Sequence, residues 1–175
     1  MAAILLLAFV TLQRLSELWL SRRNTMRLHE RGAVEVAPGH YPLIVALHTI
    51  WLGSLWFAGP GQDLNTLWLA AFAVLQVLRF WVLSSLGGRW TTRILILPGE
   101  RLVTTGPYRF FAHPNYAVVV GEIAVLPLAL GLPWHALIFS ILNAGVLFVR
   151  LRAENAALAT LRIGSRATQP PQARP

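Results

Sequence analysis

Five stretches of mostly apolar residues alternate with polar segments along the chain, at 2–20, 41–57, 66–86, 116–130 and 134–149. A helix needs about 20 apolar residues to cross a bilayer, within a range of about 17–25. The first three stretches are long enough. The last two are short and separated only by Gly-Leu-Pro, so we interpret them as a tight helical hairpin that extends beyond the membrane. The pattern predicts an all-α integral membrane protein of about five transmembrane helices.

The composition supports lipid as the solvent for most of the chain. Of the 175 residues, 55% are hydrophobic and 13% are charged, whereas a soluble domain carries about 25% charged residues. There is no cysteine and no lysine. Their absence from the sequence excludes disulfides, thiolate nucleophiles and cysteine-based metal sites, and it excludes Schiff-base chemistry on lysine. We expect no metal site.

Arginine is concentrated in segments that five spans would place on one face of the membrane, namely 21–40, 87–115 and 150–175. The opposite loops, 58–65 and 131–133, contain none. The positive-inside rule therefore predicts that the arginine-rich face is cytoplasmic and that the N-terminus lies outside. The net charge of +8 has the same explanation. No basic stripe with interleaved aromatic residues is present, so we expect no nucleic-acid binding.

Several ionisable or amide side chains fall within the apolar stretches, where they are costly and usually functional. With a rise of about 1.5 Å per residue, they lie at a similar depth in the cytoplasmic half. One interpretation is structural: Arg79 pairs with Glu122, and Arg14 with Glu17, to hold the bundle together. In that case His48 is an interhelical hydrogen-bonding residue. The other interpretation is a polar substrate cavity. The residues predicted to form it are His48, Arg79, Glu122 and Asn143.

The segment 100–116, which reads ERLVTTGPYRFFAHPNY, is too polar to span and unusually aromatic. Gly106-Pro107 and His113-Pro114 are turn signals, and Asn115 is a candidate cap for the fourth helix. A helix N-terminus at this point favours an anionic ligand group. The segment is either a ligand-binding loop or an ordinary interfacial loop.

The segment 150–158 continues the fifth helix beyond the membrane. Asn143, Arg150, Glu154 and Leu158 are spaced by seven, four and four residues, so they share one helical face. This face can meet the aromatic loop. The alternative is a simple i,i+4 salt bridge between Arg150 and Glu154, which contributes only a few tenths of a kcal/mol.

The order of these two elements resembles the isoprenylcysteine carboxyl methyltransferase family. The match consists of GPYRFFAHPNY, two short spans and then RxxxExxxL. Farther upstream, SRRN, RGAVE, HYP and LHTIWL are similar to the short bacterial branch of that family, some members of which methylate hydroxyl groups of long-chain polyketides such as alkylpyrones. The similarity covers nearly all of residues 1–160. It implies one transmembrane methyltransferase domain over 1–163 in a bacterial inner membrane, while the Pro-rich segment 164–175 is expected to be a disordered tail.

The resemblance also implies a site for S-adenosylmethionine in the loop. Glu154 matches the family glutamate that contacts the cofactor, and Arg150 matches the catalytic arginine placed toward the substrate. Asn155 stands where the family usually has a second acidic residue, and the aromatic C-terminal stretch of larger members is missing. The remaining residues implied to line the cofactor pocket are Arg101, Leu102, Val103, Tyr108, His113, Pro114, Asn115 and Tyr116.

We therefore expect an S-adenosylmethionine-dependent O-methyltransferase whose acceptor is lipophilic, either an isoprenylcysteine-type carboxylate or a long-chain polyketide hydroxyl. A carboxylate needs only positioning, and an acidic enol needs a nearby cation such as Arg150. A plain alcohol needs a base, for which His113 and Glu122 are the sequence candidates. The alternatives are an NADPH-dependent membrane reductase resembling steroid reductases, and a non-catalytic membrane scaffold. The expected partners are the lipophilic or prenylated substrate and membrane lipids; the sequence sets no oligomeric state.

Overall fold

The structure is a computed structural model that describes residues 1–100 and 103–167, apart from the side chains of 40, 155 and 157–167. Arg101, Leu102 and residues 168–175 lie outside the described part. Within it, five α-helices follow one another with short connections. They are α1 (Ala2–Glu30), α2 (Tyr41–Ala58), α3 (Thr66–Leu86), α4 (Pro114–Ala129) and α5 (Pro133–Ala167).

Two helices run farther than the apolar pattern suggests. α1 continues ten residues beyond the first apolar stretch, because the polar segment contains no helix breaker before Gly32, whose φ is 89°. The N–H groups of Gly32 and Ala33 then bond back to the last turn, as in a glycine-terminated helix. α5 is continuous to Ala167, so residues 164–167, which the sequence assigns to the tail, are helical.

Among the described residues, four helices are long and apolar enough to cross a membrane: α1, α2, α3 and the part of α5 up to Glu154. The fourth apolar stretch forms a helix of 16 residues, which falls short of the usual spanning length. The chain then turns through Leu130 to Leu132, where Gly131 has a φ of 69° and the N–H of Leu132 donates to the Pro127 carbonyl. α4 and α5 therefore form the expected hairpin.

The loops show that consecutive helices run in opposite directions through the bundle. At one end, the two-residue strands β1 (Val34–Glu35) and β2 (Leu95–Ile96) pair antiparallel and join the loops that follow α1 and α3. At the other end, the N–H of Asn65 donates to the Ala129 carbonyl at 2.9 Å. The arginine-rich segments consequently meet at the end that carries β1 and β2, which we call the polar end. This small sheet is the one departure from an all-α fold in the described residues.

The apolar core lies where all five helices meet, with α4 packed between α3 and α5. Gly121 of α4 permits the close approach to α3, since a Cβ at this position would lie 2.7 Å from Leu75. Many other large apolar side chains, including Leu12, Phe57 and Phe80, are exposed on the outer surface. That distribution suits a lipid environment. The buried core residues are Ala3, Leu7, Val10, Leu47, Trp51, Leu55, Phe72, Ile123, Leu126, Leu130 and Phe139.

Candidate functional site

A cavity of about 430 Å³ lies between α1, α2 and α5 and reaches the polar end of the bundle. Its volume is typical of small-molecule sites, which span about 300–1,000 Å³. Most of its wall is apolar, and its rim contains the exposed side chains Leu15, Leu18 and Val45 from α1 and α2. Its polar lining includes His48, Arg79, Asn143 and Arg150. Such a cavity suits a molecule with a long apolar part and a small polar group.

A buried network of charges lies beside this cavity. Arg79 donates from Nε to Oε1 of Glu122 at 2.7 Å and from Nη1 to Oε2 of Glu17 at 2.8 Å. Arg14 donates from Nη2 to Oε2 of Glu122 at 2.6 Å and from Nη1 to Oε2 of Glu17 at 3.1 Å. The two pairs considered from the sequence are thus both present and are joined into one network. Its two positive and two negative charges cancel.

Glu122 belongs to this network rather than to the cavity wall. Its carboxylate is fully buried and accepts hydrogen bonds from Arg14, Gln76 and Arg79. It is absent from the residues that line the cavity. Because two arginines and Gln76 occupy both of its oxygens, Glu122 has no free lone pair that could take a proton from a substrate hydroxyl. The structure therefore argues against Glu122 as a base.

At the polar end, α4 and α5 bring together a second group of polar side chains, which consists of His113, Tyr116, Arg150 and Glu154. The Tyr116 hydroxyl donates to Glu154 and accepts a bond from Nε of Arg150 at 2.8 Å. The His113 ring stacks on the Tyr116 ring with centroids 5.2 Å apart, and its Nδ1 lies 4.0 Å from Oε1 of Glu154. Arg150 and Glu154 form no direct ion pair, because the tyrosine hydroxyl lies between them.

Arg150 is also held by the loop that follows α3. Its Nη1 donates to the Thr92 carbonyl at 2.7 Å. The loop itself is bound to α1, since Ser21 Oγ accepts from the Thr92 N–H at 2.8 Å and the Asn24 amide donates to the Trp90 carbonyl at 2.9 Å. Ser21 and Asn24 are buried polar residues that sequence reasoning missed. They continue the buried face of α1 at helical spacing beyond the apolar stretch, and this periodicity was the available signal.

The start of α4 differs from the expectation. Pro114 takes the first helical position, which suits a residue without an N–H. The N-cap is therefore His113, without a side-chain capping bond, and Asn115 does not cap the helix. Asn115 lines the cavity together with Tyr116. The interpretation of Asn115 as a cap is wrong, because the helix begins at Pro114, two residues earlier than a cap at Asn115 would allow.

The aromatic loop forms a short 3-10 helix, Gly106–Arg109, that packs against α3, where Gly106 lies beside Trp81 and Ser85. Burial, and then the negative charge of Glu154, raise the pKa of Tyr108 to about 12. Tyr108 is therefore close enough to Glu154 to sense its charge, and it stays protonated at neutral pH. Val103 is partly buried in the same loop.

Two tryptophans of the cavity wall, Trp51 and Trp90, each bury an indole N–H that has no hydrogen-bond partner among the described residues. Buried donors are nearly always satisfied in folded proteins by protein, water or ligand. The pair therefore indicates that an oxygen acceptor from water or from a bound molecule belongs near this wall. The described residues contain no cluster of three metal-ligating side chains.

Fold and site together define a helical membrane protein in which an apolar cavity adjoins a polar, aromatic loop site. Residues 68–160 match the family described as the isoprenylcysteine carboxyl methyltransferase (ICMT) family. The chain belongs to this family, and membership makes it a membrane methyltransferase. The matched region covers α4, most of α3 and the part of α5 that carries Arg150 and Glu154.

Two bacterial proteins are similar over most of their length. The uncharacterized protein YpbQ of Bacillus subtilis (strain 168) is 40% identical over 159 residues, which cover 88% of this chain and 95% of that protein. An uncharacterized protein of Haemophilus influenzae is 24% identical over 154 residues, covering 85% of this chain and 90% of that one. No solved structure matches the chain significantly.

Proposed function

We propose that the chain is an S-adenosylmethionine-dependent O-methyltransferase that acts on a lipophilic acceptor bound in the cavity. The observation that carries this proposal is the cluster of Tyr116, Arg150 and Glu154. Tyr116 and Arg150 line the cavity, while Glu154 holds the tyrosine hydroxyl from the loop side. The hydrogen-bonded cluster of Tyr116, Arg150 and Glu154 thus lies between the apolar cavity and the polar side formed by the aromatic loop, which we call the polar compartment.

The residues of the polar compartment fit the chemistry of the cofactor. The Glu154 carboxylate is 24% exposed, so it is free to accept from the ammonium or a ribose hydroxyl. The stacked rings of His113 and Tyr116 provide an aromatic surface of the kind a nucleoside base uses. When bound, the cofactor supplies an electrophilic methyl group on a sulfonium. We extend the cofactor site to Val103, Tyr108, Pro114 and Asn115, and to the two residues outside the described part, Arg101 and Leu102.

Arg150 is the residue that we place at the acceptor. Its guanidinium is buried against the Tyr116 ring at 5.4 Å and fixed by the Tyr116 hydroxyl and the Thr92 carbonyl. A guanidinium held in this way offers its charge to a carboxylate, or to the oxyanion of an acidic enol, without moving. Its contribution is to stabilise the negative oxygen and to align that oxygen for in-line attack.

The apolar part of the acceptor enters from the bilayer through the rim between α1 and α2. Leu15, Leu18 and Val45 line the cavity and are exposed on the lipid-facing surface. Membrane lipids therefore surround this entrance. The acceptor is an isoprenylcysteine-type carboxylate or a long-chain polyketide hydroxyl, and both carry a long apolar chain with a small polar head.

The same proposal includes the orientation. The arginine-rich polar end faces the cytoplasm of a bacterial cell, with the N-terminus outside and α5 extending into the cytoplasm as the second half of the α4–α5 hairpin. Residues 1–163 form one methyltransferase domain. The charge asymmetry of the loops supports this arrangement, as does the meeting of the arginine-rich segments at one end.

Titration calorimetry in detergent tests the proposal. We expect the wild-type chain to bind S-adenosylmethionine and not NADPH, and we expect Glu154→Gln to weaken binding at least tenfold because it removes the carboxylate charge. Glu30→Gln, at the exposed end of α1, is the matched control and should bind like the wild type. Binding of NADPH alone would favour the reductase, and folded protein that binds neither cofactor would favour the scaffold.

A further inference from the structure

His48 of α2 has a defined tautomer. Its Nδ1 lies 2.9 Å from the Ile44 carbonyl oxygen. A carbonyl oxygen only accepts, so Nδ1 carries the proton, and Nε2 of the neutral ring holds a free lone pair. No described residue bonds to Nε2. The edge-on contact with Trp51, at 6.4 Å between ring centroids, helps to fix the ring, and the side chain lines the cavity.

The other titratable groups that line the cavity are engaged or carry the wrong charge. Arg14, Arg79 and Arg150 are cations. Glu17 accepts from two of these arginines. The hydroxyl of Tyr116 is occupied by Glu154 and Arg150. The hydroxyl of the remaining such residue in the described part, Tyr41, accepts a hydrogen bond from Thr92 Oγ1 at 3.5 Å. Among the described residues of this wall, His48 is consequently the one neutral nitrogen base with an open lone pair.

The two bases considered from the sequence are unsuitable for the same reaction. Glu122 is enclosed by arginines and does not line the cavity. His113 belongs to the loop side, where it stacks on Tyr116 near Glu154, and it also does not line the cavity. A hydroxyl acceptor seated in the cavity therefore meets a base on α2.

We propose that Nε2 of His48 accepts the proton of a hydroxyl acceptor during methyl transfer, an inference that rests on the proposed function. As the acceptor oxygen forms its bond to the methyl carbon, its O–H bond breaks and the proton passes to Nε2. The electron pair of the donor's broken C–S bond stays on sulfur. The positive charge of the sulfonium is thereby transferred to the imidazolium, so charge balances. His48 thus removes the proton of the acceptor.

A pair of probes separates this role from simple packing. Hexylphenol carries the hydroxyl, and its methyl ether has the same apolar chain without the proton. We expect the wild type to bind the phenol about tenfold more tightly than the ether, because one hydrogen bond to Nε2 distinguishes them. In His48→Leu this preference disappears. Leu52→Ala, on the same helix and wall, should weaken both probes and preserve their ratio.

Methyl transfer provides the second measurement. General-base catalysis contributes about 10²–10⁴-fold, so His48→Leu should lower methylation of hexylphenol by at least about 100-fold. Methylation of octanoate, whose carboxylate needs no base, should fall much less, so that the ratio of hexylphenol to octanoate methylation drops. His48→Gln keeps a hydrogen-bond acceptor that is not a base. It should therefore bind the phenol and fail to methylate it, which keeps the test valid if His48→Leu does not fold.

The outcomes distinguish the two proposals. Binding of S-adenosylmethionine is measured for each variant. A wild type that binds this cofactor but shows no preference for the phenol overturns the role of His48, as does a preference that persists in His48→Leu. Equal loss of phenol and carboxylate methylation also overturns it, because the histidine would then act through packing. A wild type without S-adenosylmethionine binding refutes the proposed function itself.

Discussion

The buried charge network makes a sharp prediction for Glu122→Gln. In the wild type, the charges of Arg14, Glu17, Arg79 and Glu122 sum to zero. Their side chains are 16%, 9%, 3% and 0% exposed. The substitution keeps the size of the side chain but leaves two guanidinium groups around one carboxylate. Removing one partner of a buried ion pair destabilises a protein by about 3–5 kcal/mol. With about 2–4 °C per kcal/mol for a chain of this size, the midpoint of thermal unfolding should fall by about 10 °C.

Charge balance, rather than the loss of one contact, is the cause that this prediction tests. The double variant Glu122→Gln/Arg14→Gln restores neutrality and leaves Arg79 paired with Glu17. It should recover at least half of the lost stability, although it removes a further ion pair. The assay is thermal unfolding of detergent-purified protein, followed by far-ultraviolet circular dichroism at one scan rate. The reasoning is refuted if Glu122→Gln unfolds at the wild-type temperature, or if the double variant is less stable than the single one.

Three further predictions follow from the cluster at the polar end and its supports. Tyr116→Phe removes the hydroxyl between Arg150 and Glu154; we expect S-adenosylmethionine affinity and methyl transfer to fall about tenfold or more with little change in unfolding temperature, and unchanged calorimetry would contradict this. Ser21→Ala should lower kcat more than it lowers cofactor affinity, since it loosens the loop that holds Arg150; equal effects on both would argue for a general structural role. Gly106→Ala should destabilise the protein by at least about 1 kcal/mol, because its φ is 60° and a Cβ would lie 2.1 Å from a serine hydroxyl of α3; a thermal-unfolding midpoint equal to that of the wild type would refute the constraint.

The sequence predicted the helices well because burial in lipid imposes long apolar runs. It predicted the α4–α5 hairpin because the turn residues Gly131 and Pro133 interrupt the apolar run between two short stretches. It was less successful where polar residues continue a helix. The end of α1 lies at Glu30 because helix propensity, and not hydropathy, decides where a helix stops outside the membrane. The apolar stretch ended ten residues earlier.

For the candidate site too, the sequence identified some of the residues, whereas only the structure showed how they contact one another. The resemblance identified Tyr116, Arg150 and Glu154 by their motif, and the helical spacing placed the last two on one face. Neither showed that a tyrosine hydroxyl lies between them, or that Ser21 supports the loop bound to Arg150. Those contacts join residues far apart in the sequence, and their geometry depends on how the helices pack.

By itself, the sequence determined the class of protein, the number and approximate position of its helices, and the depth at which polar residues lie, because these follow from local composition and helical periodicity. Only the tertiary structure decided which polar residues face one another. Glu122 and His48 have similar depths in the sequence, yet one is enclosed by two arginines and the other presents a free nitrogen to the cavity. The rotation of each helix about its axis selects the partner of each side chain, and that rotation is set by packing of all five helices together.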